Sequence, residues 1–173
     1  MKKILFLFYA GSLLCLISCN QTKVASMQMQ STEADNIRAK APLIYKAIET
    51  GNTAGIDTLF AENFIEHNAP DGREIKGRDS LMAMFRTMHN QFRDLKFNLI
   101  SNAYDNGYLM TMVHVTGTTT QSGMGMPADT KFDTHNIDVV RFENGKAIEH
   151  WEYDRPQDVM KWMETAKQNK QTK

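Results

Sequence analysis

The stretch whose reading decides the fold is Asp138-Val139-Val140-Arg141-Phe142-Glu143-Asn144-Gly145-Lys146-Ala147-Ile148-Glu149-His150-Trp151. Asn144-Gly145 sits between two runs rich in apolar residues. That is the strongest short-range signal of a β-hairpin, because both turn positions need positive φ. The loop decides which residues share a face. A two-residue loop, Asn144-Gly145, puts Asp138 opposite Trp151. A three-residue loop, Glu143-Asn144-Gly145 with a bulge, puts Asp138 opposite His150. Side chains alternate along a strand, so the two registers send different sets inward. The second gathers Asn136, Asp138, His150 and Glu152 on one face. It sends Trp151 and Tyr153 to the other.

Working outward, the same chemistry repeats. Residues Thr130 to Phe142 and Lys146 to Tyr153 read as the two strands of this hairpin. Tyr108 to Thr120 is a long β-branched run, and Asp105-Asn106-Gly107 turns it back onto a strand from Lys96 to Tyr104. Gln121 to Ala128 is a loop rich in glycine and methionine.

Before Lys96 the period is helical. Ile37, Ala41, Ile44 and Ile48 make one face of an amphipathic helix. Thr32 or Asp35 can cap it, Pro42 kinks or restarts it, and Gly51-Asn52 ends it. Ile56, Leu59 and Phe60 predict a second short helix. Phe64-Ile65-Glu66-His67 predicts a short strand, and Asn68-Ala69-Pro70-Asp71-Gly72 a turn-rich loop. A third helix starts near Asp79, with a stripe at Leu81, Phe85, Met88, Phe92 and Leu95. Residues 157–168 predict a last helix, held through Val159 and Trp162 or Met163.

Helices first and then a meander of antiparallel strands predict an α+β fold. Such a sheet, curled over a long helix, makes a cone with one open end, a natural pocket for a small ligand.

The 173 residues carry 20 basic and 20 acidic side chains. Zero formal charge argues against a nucleic-acid partner, which needs a basic face. With 42% hydrophobic and 23% charged residues the chain is globular rather than disordered. Both cysteines, Cys15 and Cys19, lie at the N-terminus. Lys2 and Lys3 precede an apolar run, Ile4 to Ile17, shorter than the roughly 20 residues a spanning helix needs. This reads as an export signal. It ends in Leu16-Ile17-Ser18-Cys19, which matches a bacterial lipobox. Cleavage before Cys19 and acylation of that residue would anchor the chain by several acyl chains.

The expected organisation is a signal peptide at 1–18, a lipidated tether at 19–33, a folded domain at 34–168 and a polar tail at 169–173. The expected place is the bacterial cell envelope, periplasm-facing or at the outer membrane. The mature domain keeps no usable thiol, so its chemistry must come from carboxylates and histidines.

Three segments together resemble a known family. Phe64-Ile65-Glu66-His67-Asn68 follows an Ala-Glu-Asn segment expected to end a helix. Gly125-Met126-Pro127-Ala128-Asp129-Thr130-Lys131-Phe132 precedes a long strand. Asp138 to Trp151 closes the set. They are similar to the SnoaL-like polyketide cyclases of the nuclear-transport-factor-2-like superfamily, over roughly residues 34–165. The resemblance implies a cone-shaped α+β barrel, its curved antiparallel sheet wrapped around the N-terminal helices, and commonly a homodimer. It also favours the second hairpin register. The cyclases' catalytic aspartate falls on Glu152 and their helper histidine on Asp138. The related ketosteroid isomerases place an acid at Asp138 and a base at His67.

Acid–base character survives at each position, although no single family's set is reproduced. The implied chemistry is proton abstraction beside a carbonyl, of aldol-cyclisation or isomerisation type, with no cofactor and no metal. Glu152 or His67 would be the base, Asp138 the donor and His150 an orienting relay. Asn136, Met110, Met112, Met124 and Met126 are the candidate ligand contacts, the methionines as an adaptable apolar wall and lid. His114 and His135 read as structural, and His89 as solvated. The partner is a small hydrophobic molecule, the membrane is met only through lipid on Cys19, and a homodimer is expected. The rival expectations are a non-catalytic lipoprotein binding a hydrophobic ligand, and an interaction module using the sheet face that carries Trp151.

Overall fold

The computed structural model describes residues 28–69, 72–122 and 126–171. Cys19, the lipobox and Met124 lie outside the described residues. The chain divides into two compact units, Met1–Asn36 and Ile37–Lys173. In the first, residues 28–36 are helical.

The second unit holds the sheet. After a turn at residues 39–40, helix α1 runs Ala41–Thr50, with Pro42 in its first turn and Gly51 at φ 68° as its left-handed stop. Proline therefore restarts the helix, since its missing N–H is unneeded in a first turn. Strand β1 (Phe60–Glu66) and the short β2 (Ile75–Lys76) follow, then α2 (Arg78–Gln91). Four long strands complete the sheet: β3 (Phe92–Asp105), β4 (Tyr108–Thr119), β5 (Lys131–Glu143) and β6 (Lys146–Asp154). Helix α3 (Pro156–Gln171) closes the chain. The curved sheet has six strands in the order β2-β1-β6-β5-β4-β3, with β1 parallel to β6 and the other pairs antiparallel. The fold is α+β.

Helices and sheet share one core. Phe64, Leu81, Leu109 and Val113 are at most 1% exposed. Burying each such side chain contributes about 1.5–3 kcal/mol. Phe60 meets Phe64 and Phe85 edge-on, at ring separations of 5.2 and 6.0 Å. Gly117 leaves room for the Phe132 ring, which a Cβ 2.6 Å from its Cζ would push aside.

Three expectations change. Phe92 and Leu95 belong to β3, not to the end of α2. Phe92 pairs with Thr119 across the sheet, and this pairing overrides a helical spacing that happened to continue. The second short helix shrinks to a single 3₁₀ turn, Asp57–Leu59, and Phe60 opens β1. At helix α3, Val159 is half-buried, the Trp162 side chain lies outside the described residues, and a carboxylate also meets the sheet. Met163 is 56% exposed, whereas Asp158 is buried. The Asp158 carboxylate accepts from Thr134 Oγ1, the His135 amide and the Arg155 guanidinium. These bonds, the arginine's first, hold it down at about 2.

The decisive hairpin takes neither anticipated register. Asn144 and Gly145 adopt φ 50° and 73°, so the turn has two residues and Glu143 pairs with Lys146. A bulge then falls at Ile148: Phe142 pairs with Ala147, but Arg141 pairs with Glu149. Asp138 comes opposite Glu152. The extra residue sits in β6 rather than in the loop. The parity matches the second expected register while the pairing moves by two residues, so Asn136, Asp138, His150 and Glu152 still share one face.

Candidate functional site

That shared face lines a cavity between sheet and helices. It encloses about 940 Å³ of atom-free space, part of it open to solvent. Its walls are apolar: Ile44 and Ile48 from α1, Phe85 and Met88 from α2, Leu109 and Val113 from β4. One end is polar, and every strand around it contributes by alternation. Glu66 comes from β1, His150 and Glu152 from β6, Asn136 and Asp138 from β5, and Thr111 from β4. Tyr45 reaches in from α1, and Asn68 from the loop after β1.

These groups form one network. Tyr45 donates its hydroxyl to Asp138 Oδ2. His150 Nδ1 lies 2.6 Å from Glu66 Oε2, and its Nε2 lies 3.6 Å from Asp138 Oδ1. Glu66 Oε1 also accepts the Asn68 amide at 2.9 Å. Asn136 Nδ2 donates to Glu152 Oε1, and the Glu152 amide donates to Asn68 Oδ1 at 2.9 Å.

Electrostatics separates the roles. Burial alone would lower the His150 imidazole, but its bonds to Asp138 and Glu66 and their charges push it up to about 10. It is an imidazolium at neutral pH. Burial pushes the Glu152 carboxyl up to about 7, with the Asp138 charge adding to the effect. The Tyr45 hydroxyl is driven far above its ordinary value, by burial first and then by the Asp138 charge, and stays protonated. A carboxyl that titrates near neutrality can both take and return a proton. A fixed imidazolium beside it can donate to an oxygen that gains negative charge.

Four of the anticipated residues meet here: Glu152, Asp138, His150 and Asn136. His67 does not line the cavity. It stacks on Trp151 at 4.9 Å, and its Nδ1 lies 2.9 Å from Glu74 Oε1. The reason is parity. In β1 it is Glu66 that pairs with His150 and turns inward, so the next residue turns outward.

Met110 and Met112 also face outward, 52% and 44% exposed, because Leu109, Thr111 and Val113 take the inner positions of β4. Met126 is buried but does not line the cavity. Met84 and Met88 supply the methionine wall instead. His89 is not simply solvated: its Nδ1 lies 2.7 Å from the Glu49 carbonyl at the end of α1.

Tyr45 and Glu66 are the members that sequence reasoning missed. Glu66 had a signal, since Phe60, Phe64 and Glu66 share parity and Phe64 is an obvious core residue. Tyr45 also had one, since Ala41, Tyr45 and Ile48 follow at spacings of four and three on the buried face of α1. Among the described residues, no three His, Cys, Asp or Glu side chains are grouped to hold a metal ion.

No curated protein matches this sequence. Among solved structures, the chain is similar to TsrD from Streptomyces laurentii, with a TM-score of 0.64 at 16% identity over 76% of this chain and 96% of that one. An LEH-like epoxide hydrolase of M. tuberculosis gives a TM-score of 0.61 at 10% identity, over 78% and 93%. Bal32a, from a soil-derived mobile gene cassette, gives 0.61 at 21% identity, over 77% and 98%. Likeness at these identities speaks for a common fold only. The model of the SnoaL-like polyketide cyclase family matches residues 39–162, which span α1, the whole sheet and the start of α3. By this match over most of its length, the chain belongs to the SnoaL-like polyketide cyclase family.

Proposed function

We propose that this chain is an envelope-anchored SnoaL-like domain whose cavity holds a small, largely apolar carbonyl compound and moves protons on it without a cofactor. One observation carries the reading: Glu152, titrating at about 7, faces the same apolar cavity as the His150 imidazolium.

The Glu152 carboxylate takes a proton from the carbon beside the carbonyl. The C–H electron pair becomes the enolate double bond, and charge collects on oxygen. His150 Nε2–H donates to that oxygen. At 3.6 Å from Asp138 the imidazolium is oriented but not saturated, so its proton is free to turn to a ligand. Asp138 holds the donor pair, Tyr45 and His150, in place rather than donating itself. Glu66 fixes the imidazole from behind. The proton then returns at another carbon, an isomerisation, or the enolate carbon attacks a second carbonyl, an aldol cyclisation.

The test is proton–deuteron exchange beside the carbonyl of small apolar ketones, followed by NMR in deuterated buffer. Wild type should accelerate exchange, and Glu152→Gln should lose about 100-fold of that acceleration or more. Equal exchange with both proteins would leave a non-catalytic ligand-binding lipoprotein as the reading. Anchoring is read from labelled palmitate, which should enter wild type and not Cys19→Ser. A homodimer through the outer face of the sheet is also supported. Met110, Met112, Ile137 and Tyr153 are each at least 42% exposed there, a large apolar patch for a lone soluble domain.

A further inference from the structure

The charge around the cavity is one-sided. Among the described residues, three carboxylates line it, Glu66, Asp138 and Glu152, against one imidazolium, His150, and no lysine or arginine does. Each carboxylate has a different claim on that single positive charge. Glu66 holds it at 2.6 Å. Asp138 lies 3.6 Å from it and also receives the Tyr45 hydroxyl. Glu152 has only the neutral Asn136 amide on its Oε1, and no described side chain donates to its Oε2. A half-buried carboxyl with one bare oxygen therefore opens onto an apolar chamber.

Much of the chamber wall is aromatic. Tyr45 and Phe97 stack at 5.1 Å, and Phe60, Phe64 and Phe85 line the same space. Aromatic faces attract cations in desolvated sites. An incoming carboxylate or phosphate would meet three carboxylates against the one His150 imidazolium, which Glu66 already holds.

We propose that the cavity selects an apolar molecule carrying a protonated amine, with the ammonium lying against Glu152 and the aromatic wall. This rests on the reading of the cavity as the substrate site and adds the charge of the substrate. It also gives the amine a role in the chemistry. The groups facing Glu152 are Asp138 across the hairpin, Asp154 and His150 on its own strand, Glu66 on β1 and Tyr45 on α1. Asp138 and Asp154 oppose its ionisation, and the His150 charge favours it. An ammonium adds a second favouring charge, so its binding drives the proton off Glu152 and leaves the carboxylate ready to act as base. A cationic substrate thus arms the group that reacts with it.

Calorimetry on the full chain tests this with three matched probes: phenethylamine, phenethyl alcohol and hydrocinnamate. The amine should bind about tenfold tighter than the alcohol, and the carboxylate more weakly than either. Near pH 7 the amine should release protons, seen as a binding enthalpy that changes with the buffer's ionisation enthalpy. Glu152→Gln should erase both, bringing amine affinity level with alcohol affinity and ending the proton release. Equal affinity for amine and alcohol would overturn the proposal and leave the cavity reading standing. So would an amine advantage that survives in Glu152→Gln. No binding of any probe would overturn both.

Discussion

The two faces of the β5–β6 hairpin are made by alternate residues of the same two strands, and their chemistry is opposite. Inward go Asn136, Asp138, His150 and Glu152, polar groups drawn into an apolar chamber. Outward go Ile137, Trp151 and Tyr153, with Ile137 42% and Tyr153 58% exposed. Histidine divides the same way. His150 lies inside between two carboxylates. His114 and His135 stack on each other outside at 4.6 Å, with Asp133 accepting from His114 at 2.8 Å. The usual rule is polar out and apolar in. Its inversion here teaches that the inner face is arranged for chemistry and the outer face for contact. The inner polar groups are costly to bury and are compensated by one another, so breaking one bond in that set should cost far more than breaking contacts outside.

The largest effect should come from Glu66→Leu. It leaves the His150 imidazolium buried without its closest partner. Removing one member of such a pair typically costs about 3–5 kcal/mol. Chemical denaturation at pH 7 should show a loss of that size, and Glu66→Gln, which still offers an oxygen, a smaller one. A loss under about 1 kcal/mol would mean that the inner face is not held by this pair.

The next effect is a pH dependence with two limbs. Glu152 titrates at about 7 when folded, against an ordinary value of 4.5. Between these values the folded state binds the extra proton, so stability falls as pH rises from about 4.5 through 7, by on the order of 3 kcal/mol. His150 acts at the other end. Its folded value of about 10 lies above the ordinary 6.5, so its contribution is complete below 6.5 and is lost as pH rises through 10. Melting temperature against pH should therefore decline across the weakly acid range in wild type. In Glu152→Gln the acid-side decline should flatten while the alkaline decline stays. An unchanged acid limb would place that titration on another group.

How much of this was readable beforehand follows from the distances over which the residues speak. The hairpin face was legible because alternation and an Asn-Gly turn are local. The bulge at Ile148 was not, because it depends on how β6 accommodates β1 on its other edge, where Glu66 pairs with His150. His67 was favoured over Glu66 through resemblance, although Phe64 already fixed the parity of that strand. Tyr45 meets Asp138 across 93 positions, and no spacing rule reaches that far. Phe92 and Leu95 read as helix because spacings of three and four also occur by chance at a helix–strand junction. Only the Phe92–Thr119 pairing decides the matter.

The smallest effect on folding should lie on the outer face, and there its smallness is the point. Met112 stands 44% exposed beside Ile137, its partner on β5. In a lone domain, Met112→Ser removes little buried area and should change unfolding free energy by no more than about 0.5 kcal/mol. If the face instead meets a second copy, that residue recurs on both sides of an isologous contact, so a single substitution is felt twice. Sedimentation equilibrium should then show the dimer constant weakened at least tenfold while dilute-protein melting stays put. The pairing of the two readouts discriminates. A large melting shift without dissociation would mean that the outer methionines support the fold. No change in either would return the apolar outer face to the status of ordinary surface and confine the functional chemistry of the hairpin to its inner side.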